Sequence, residues 1–299
     1  MSATPGGGSE KVRSIIDLTR YKEYVIFVIV TTFLGAQVSG APLDGRLLLA
    51  LVANWLAVGF SFMINDVEDA ADDALNPAKV QRNPVSAGRL ERRAAYKASF
   101  AAAILAGAAF YPLGPVPFWL GVVCLVIGFL YSWRPVRLKR IPIVDLISHS
   151  LLLAGLQYLC AYFTFASSAT GAEWIAPFVF VMSISMYGEL FNEVRDLEGD
   201  LQAGVTHTAA VVGEKGAHVL MYALLAVGGI SFAYSIVAGL VPWWVLVVLF
   251  VLAAIILARP ILMMRRGSAV DLVGPLHVPA QIVGALTMIV WVAVGTFLQ

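Results

Sequence analysis

Long apolar runs alternate with short polar segments along the whole chain. Nine of them come near the roughly 20 residues that a helix needs to cross a hydrocarbon core, at about 21–40, 46–65, 95–113, 116–133, 143–166, 174–192, 217–239, 242–258 and 275–298. Turn-forming clusters punctuate the runs: Gly40 and Pro42, then Pro112, Gly114 and Pro115, then Gly239 and Pro242. The pattern predicts an all-α integral membrane protein with nine transmembrane helices. Residues 1–20, small, polar and mildly basic, read as a flexible tail and interfacial lead-in, and 21–299 as the membrane domain. The tail has no apolar core of the kind a cleaved signal needs.

Composition agrees with the pattern. With 60% hydrophobic and 13% charged residues and a mean hydropathy of +0.83, the chain has too little polar surface to coat a soluble core. Charge placement then sets an orientation, because cytoplasmic loops retain Lys and Arg. With the N-terminus in the cytoplasm, 19 of the 20 basic residues fall on that side, Arg265 and Arg266 among them, and only Arg46 lies opposite. The long polar loops then cap the cytoplasmic end. The expected setting is a prokaryotic plasma membrane. The basic loops satisfy topology, so nothing calls for nucleic acid as a partner. Cys124 and Cys160 fall inside spans and read as small buried hydrophobes.

The chemistry gathers where two of these spans end. Asn65, Asp66, Asp69 and Asp73 follow the second run, and Asn192, Glu193, Asp196 and Asp200 follow the sixth. Both sets fit N-[DE]-x-x-D-x-x-x-D, which points to two related halves. On a helix continued past the membrane, the acids of each copy stand at i, i+3 and i+7, on one face. Two such stripes repel each other unless cations sit among them. Carboxylates without Cys or clustered His suit a hard ion such as Mg²⁺, which shares its shell with water and substrate phosphates. Two or more ions are expected. Lys79, Arg82 and Arg89 follow the first stripe, and Arg134, Arg137, Lys139 and Arg140 fill the loop after the fourth run. Acids for metal beside bases for anionic oxygen suggest a diphosphate site, although each base also obeys the topology rule.

With these motifs in place, the chain resembles the UbiA superfamily of intramembrane prenyltransferases. The resemblance rests on Asn65, Asp66, Asp69 and Asp73, on the Asp196 to Asp200 stretch, and on Tyr131, Ser132, Trp133, Arg134, Pro135 and Arg137. The Asp196 to Asp200 stretch is most similar to the branch holding chlorophyll synthases, homogentisate prenyltransferases and archaeal lipid prenyltransferases. The resemblance implies a nine-helix bundle around a central cavity and a prenyl diphosphate donor. It implies that Asp66, Asp69, Asp73, Asp196 and Asp200 hold Mg²⁺ against the diphosphate, with Asn65 and Asn192 completing the shell and Lys79, Arg82, Arg137 and Lys139 gripping phosphate oxygens. Two departures stand out. The family's Arg-Pro is here Arg82, Asn83, Pro84, and its Thr-Leu-Pro is replaced by His207, Thr208, Ala209 and Ala210. Glu193 stands where the first copy has Asp66, as a longer ligand or a nearby base.

The expected reaction moves an isoprenoid chain from its diphosphate to a hydrophobic acceptor, aromatic, quinone-precursor or lipid. Neutralising the departing diphosphate eases C–O cleavage, and a bundle buried in the bilayer keeps water from the allylic cation. Tyr131 is one of several aromatics at a depth where a ring face could stabilise that cation or serve packing. Asn54 and Ser61 share a face with Asn65, and Asp145 and His149 stand at i, i+4; the first set could line a cavity, the second act as a base or a structural pair. A terpene cyclase using the same donor is the alternative enzyme. A secondary transporter is the alternative from another class, though it usually breaks its helices within the membrane.

Overall fold

The computed structural model describes residues 8–75, 77–166, 171–202, 204–264 and 273–297. Residues 1–7 of the expected tail, and Arg265 and Arg266, lie outside the described residues. All regular structure among those described is helical. The elements are α1 (Gly8–Thr19), α2 (Val25–Val38), α3 (Arg46–Asp73), α4 (Arg92–Phe110), α5 (Pro115–Ser132), α6 (Val144–Phe165), α7 (Ile175–Gln202), α8 (Thr208–Val237), α9 (Trp243–Met264) and α10 (Val273–Phe297). Among the described residues, eight helices are long and apolar enough to cross a membrane, and the bent α1–α2 pair raises the number to nine.

From Gly8 onward the expected tail is a helix rather than loose chain. Ser14 and Leu18, four residues apart on one face, are buried, and Leu18 packs with Met63 and Val67 of α3 and Ala95 of α4. Val12 and Ile16 stay exposed. An amphipathic helix of this kind buries one stripe and leaves the other outside. The chain turns by 56° where this segment meets α2.

α3 and α7 each run for 28 residues. At 1.5 Å per residue that is about 42 Å, longer than a hydrocarbon core of about 30 Å. Their last turns therefore project, and those turns carry the two acidic motifs. α6 widens to a π-helix over Leu151–Gly155. α8 starts at Thr208, well before the apolar run near 217, and breaks at Gly213, whose φ of 72° suits a residue without Cβ.

Polar groups tie the bundle internally. Asn54 of α3 donates to Thr32 Oγ1 of α2 at 2.9 Å and to the Gln157 carbonyl of α6 at 3.1 Å, and Thr31 donates to Gln157 Oε1 at 2.9 Å. Asn54 and Ser61 thus face helix contacts instead of a cavity: Ser61 bonds the Ala57 carbonyl and lies against Gly128 of α5, where a Cβ would come 2.2 Å from Ser61 Oγ. Hydrogen bonds like these add roughly 0.6 kcal/mol each between membrane helices. Cys124 and Cys160 are buried and free, as expected. Outward residues of α8 and α9, such as Val219, Ile230, Phe250 and Ile255, form an apolar rim.

Close backbone approach sets the α2–α6 contact, where a Cβ on Gly35 would stand 2.2 Å from the Tyr158 carbonyl oxygen. Gly107, by contrast, meets open space. Gly35→Val is expected to destabilise the protein by about 1–3 kcal/mol through overpacking, seen as a lower melting temperature in detergent, with Gly107→Val nearly neutral. Equal effects would remove close packing as the reason for Gly35.

Candidate active site

The end of α3 builds the first half of the site. Asp66 is fully buried. Arg20, at the α1–α2 elbow with a left-handed φ of 51°, donates to Asp66 Oδ1 at 3.3 Å and lays its guanidinium over the Phe62 ring at 4.8 Å. Asp69 pairs with Arg137 Nη2 at 2.7 Å and with the Lys139 ammonium. Asp72 pairs with Arg134 at 2.9 Å and with Arg137 at 2.8 Å. Burial pushes the Lys139 ammonium below its ordinary pKa, against the pull of Asp69. Burial also opposes the charge on Arg137, but Asp72 and Asp69 outweigh it and hold that guanidinium above its ordinary value.

Asn83 fastens this half. It is fully buried, donates from Nδ2 to the Asp66 carbonyl at 2.7 Å and to Asp73 Oδ2 at 2.9 Å, and accepts from the Val85 amide at 3.0 Å. The residue that interrupts the expected Arg-Pro pair is therefore the anchor that folds the loop back on α3. Lys79 and Arg82 lie exposed on that loop, Arg82 within electrostatic range of Asp66.

The end of α7 builds the second half around His207. Its Nδ1 lies 3.3 Å from Glu193 Oε2 and its Nε2 3.2 Å from Asp200 Oδ2, so hydrogen bonds to Asp200 and then Glu193 hold the imidazole pKa up at about 10. Both flanking acids favour its charged form, and Nδ1 also lies 3.2 Å from the Ala210 amide. Glu193 also accepts from the Ala209 amide at 2.9 Å, while exposed Asp196 pairs with Arg195 at 2.9 Å. Asn192 is half-buried. Asp145 does not pair with His149. Its carboxylate takes the Thr208 amide and hydroxyl, both at 2.6 Å, because the first turn of α8 presents unpaired N–H groups there. Thr208 Oγ1 in turn accepts from Ile143 at 2.6 Å, a β-branched residue held at φ 70°.

Tyr131 and Ser132 connect the halves from the end of α5. Asn65 donates to Ser132 Oγ at 3.0 Å. Tyr131 donates to Glu189 Oε1 of α7 at 3.2 Å.

Among the described residues, no three acids, histidines or cysteines form a ready metal-holding group; protein cations supply the acids' counter-charge instead. Three buried atoms of the site still have no partner: Asp66 Oδ2, Glu193 Oε1 and Arg137 Nε. The two oxygens occupy the same position in the two motifs. An orphaned buried carboxylate oxygen is costly and suits a cation, and an orphaned guanidinium N–H suits an anion. The donor set therefore fits a hard divalent ion with an anionic ligand. Arg20, Asn83 and His207 escaped the sequence reading because their partners are 46, 17 and 14 residues away. The only signals were the two departures from the family pattern.

Fold and site together define a polytopic helical membrane protein with a paired carboxylate and cation cluster at one end. The chain belongs to the UbiA prenyltransferase family, whose profile it matches over residues 24–272. Digeranylgeranylglyceryl phosphate synthase of Natronomonas pharaonis is 27% identical over 253 residues, covering 80% of this chain and 83% of its own. The 2-acylphloroglucinol 4-prenyltransferase of Humulus lupulus is 26% identical over 190 residues, 62% of this chain and 46% of its own. In fold, the chain is similar to a UbiA homolog from Archaeoglobus fulgidus bound to GPP and Mg²⁺, with a TM-score of 0.68 at 19% identity over 94% of this chain and 99% of that one.

Asn83→Ala strips donors from Asp73 and from the Asp66 carbonyl, and leaving such groups unpaired costs about 1–3 kcal/mol each. A clear fall in melting temperature in detergent is expected, with Arg82→Ala, one residue away but exposed, close to wild type. An unchanged melting temperature for Asn83→Ala would contradict its role as the loop's anchor.

Proposed function

We propose that this protein transfers an isoprenoid chain from a prenyl diphosphate to a lipophilic acceptor and releases diphosphate, with Mg²⁺ at the acidic mouth. The observation that carries the reading is the set of unpartnered buried atoms, Asp66 Oδ2 and Glu193 Oε1 at matching motif positions, and Nε of Arg137, the residue paired with Asp69. The two oxygens suit a cation and the guanidinium N–H suits an anion. The family match supports the reaction class, and the Mg²⁺ and GPP bound by the Archaeoglobus fulgidus homolog support the ligand chemistry.

In this reading Asp66, Asp69, Asp73, Asp196 and Asp200 hold the metal, and Glu193 adds its free oxygen. Mg²⁺, when bound, neutralises charge on the diphosphate oxygens as a Lewis acid. Arg137 and Lys139 exchange Asp69 for those oxygens, and Lys79 and Arg82 close over them from the exposed loop. Asn65 and Asn192 flank the two acid stripes. As the C–O bond breaks, the electron pair leaves on the diphosphate, and Tyr131 offers a ring face to the allylic cation. The surrounding bundle excludes water until the acceptor attacks. The acidic end faces the cytoplasm, on the strength of the 19 basic residues that fall on that side.

Diphosphate release by purified protein, followed with farnesyl and geranylgeranyl diphosphate and Mg²⁺, tests this directly. EDTA should abolish it, and Asp69→Asn and Asp196→Asn should each lower it at least about a hundredfold, the scale of losing one charge-stabilising group, in folded protein. Release indifferent to EDTA and to both substitutions would overturn the proposal. A cyclised hydrocarbon formed without acceptor would replace transfer by cyclisation.

A further inference from the structure

Glu189 and His149 lie inside the apolar spans of α7 and α6, where ionisable side chains are costly and usually functional. They pair with each other: His149 Nδ1 lies 3.3 Å from Glu189 Oε2. Tyr131 donates to the other oxygen, Glu189 Oε1, at 3.2 Å and stands 3.4 Å from His149 Nδ1. Both carboxylate oxygens are thus occupied by donors. In the tautomer that donates Nδ1–H to Glu189, the imidazole carries its lone pair on Nε2, which has no partner among the described residues. The side chains of His149 and Glu189 are 19% and 16% exposed, so neither is sealed in the core.

Their position follows from helix geometry. Glu189 precedes Glu193 by four residues and shares its face, one turn inward from the acidic mouth. His149 stands two residues before the π-helical turn Leu151–Gly155, a distortion often found at functional sites. The obvious competing acid, Asp145, is spent on Thr208 and the Leu146 amide, so nothing on α6 itself holds the imidazole.

We propose that His149 is the proton acceptor for the second substrate, and that Glu189 is its positioning residue. The inference rests on the prenyl-transfer reading and deepens it: the acceptor is an O–H nucleophile, an alcohol or a phenol. In the step, the donor C1–O bond breaks and its electron pair leaves on the diphosphate. The acceptor oxygen forms the new bond to C1, and its proton passes to His149 Nε2. The Glu189 carboxylate offsets the imidazolium so formed, the same division of labour as in other carboxylate–histidine pairs.

The test uses full-length protein in detergent with geranylgeranyl diphosphate, Mg²⁺ and two probe acceptors, a 1-alkylglycerol and 4-octylphenol, reading ether product and diphosphate separately by mass spectrometry. In His149→Ala, ether formed per diphosphate released should fall about a hundredfold, within the range of a lost general base, with the prenyl group appearing as free prenyl alcohol. Added imidazole should restore ether formation in His149→Ala and leave Asp69→Asn unrescued. Glu189→Gln should lower kcat for ether formation while leaving KM for the donor alone. His149→Gln, of similar bulk, guards against a folding defect in the alanine variant. Ether per diphosphate at the wild-type ratio in both histidine variants, or no imidazole rescue, would overturn the assignment. So would wild-type protein that releases diphosphate but makes ether from neither probe. No diphosphate release by wild type would instead remove the transfer reading, and the proton acceptor with it.

Discussion

A carboxylate at the mouth of an apolar bundle must have a counter-charge, and the acidic end of this protein is organised around that requirement. Like charges at i, i+3 and i+7 on one helix face raise each other's energy, and burial raises it further. Asp196 takes its neighbour Arg195, and the other acids are met by groups brought in from elsewhere in the chain. Arg20 comes from the elbow before α2, Asn83 from the loop after α3, Arg137 and Lys139 from the loop after α5, and His207 from the turn before α8. The overrun of α3 and α7 beyond the membrane, the bend after α1, the fold-back at Asn83 and the early start of α8 at Thr208 are all means of delivering those partners.

The same requirement explains how a site can be both stable and receptive. Protein cations that pair with the acids keep the mouth folded, and the carboxylate oxygens left over at Asp66 and Glu193 mark where the pairing is incomplete. Buried ion pairs contribute little net stability once desolvation is counted, so exchanging them for a metal and an anion costs less than their number suggests. Lys139 illustrates this: burial weakens its charged form even as Asp69 holds it, and an incoming anion competes for a cation that is only partly satisfied.

Much of this was legible in the chain, and the reasons differ by element. The spans were readable because lipid demands about 20 apolar residues per crossing, and the acidic motifs because a helix repeats its faces every three to four residues. The helix from Gly8 escaped notice because its few apolar residues, Val12, Ile15, Ile16 and Leu18, are scattered over both faces of a polar segment. The start of α8 escaped because Thr208 and Ala209 are held by Asp145 and Glu193 rather than by their own periodicity. Asp145 and His149 looked like a pair at i, i+4, yet each found a stronger partner on another helix. Side-chain partners distant in sequence leave no periodic trace. Asn83 and His207 left another kind of trace, as positions where the expected motif was broken.

In the proposed site, one metal and diphosphate cluster joins the two acidic motifs. A crystal structure with Mn²⁺ and a thiolo analogue of geranylgeranyl diphosphate tests it most directly, because anomalous scattering locates the metal independently of the side chains. The expected result is Mn²⁺ ligated by carboxylates from both the Asp66 to Asp73 and the Glu193 to Asp200 stretches, with Arg137 and Lys139 turned from Asp69 to the diphosphate oxygens. Mn²⁺ confined to one motif, or the analogue bound with Arg137 and Lys139 still on Asp69, would contradict it.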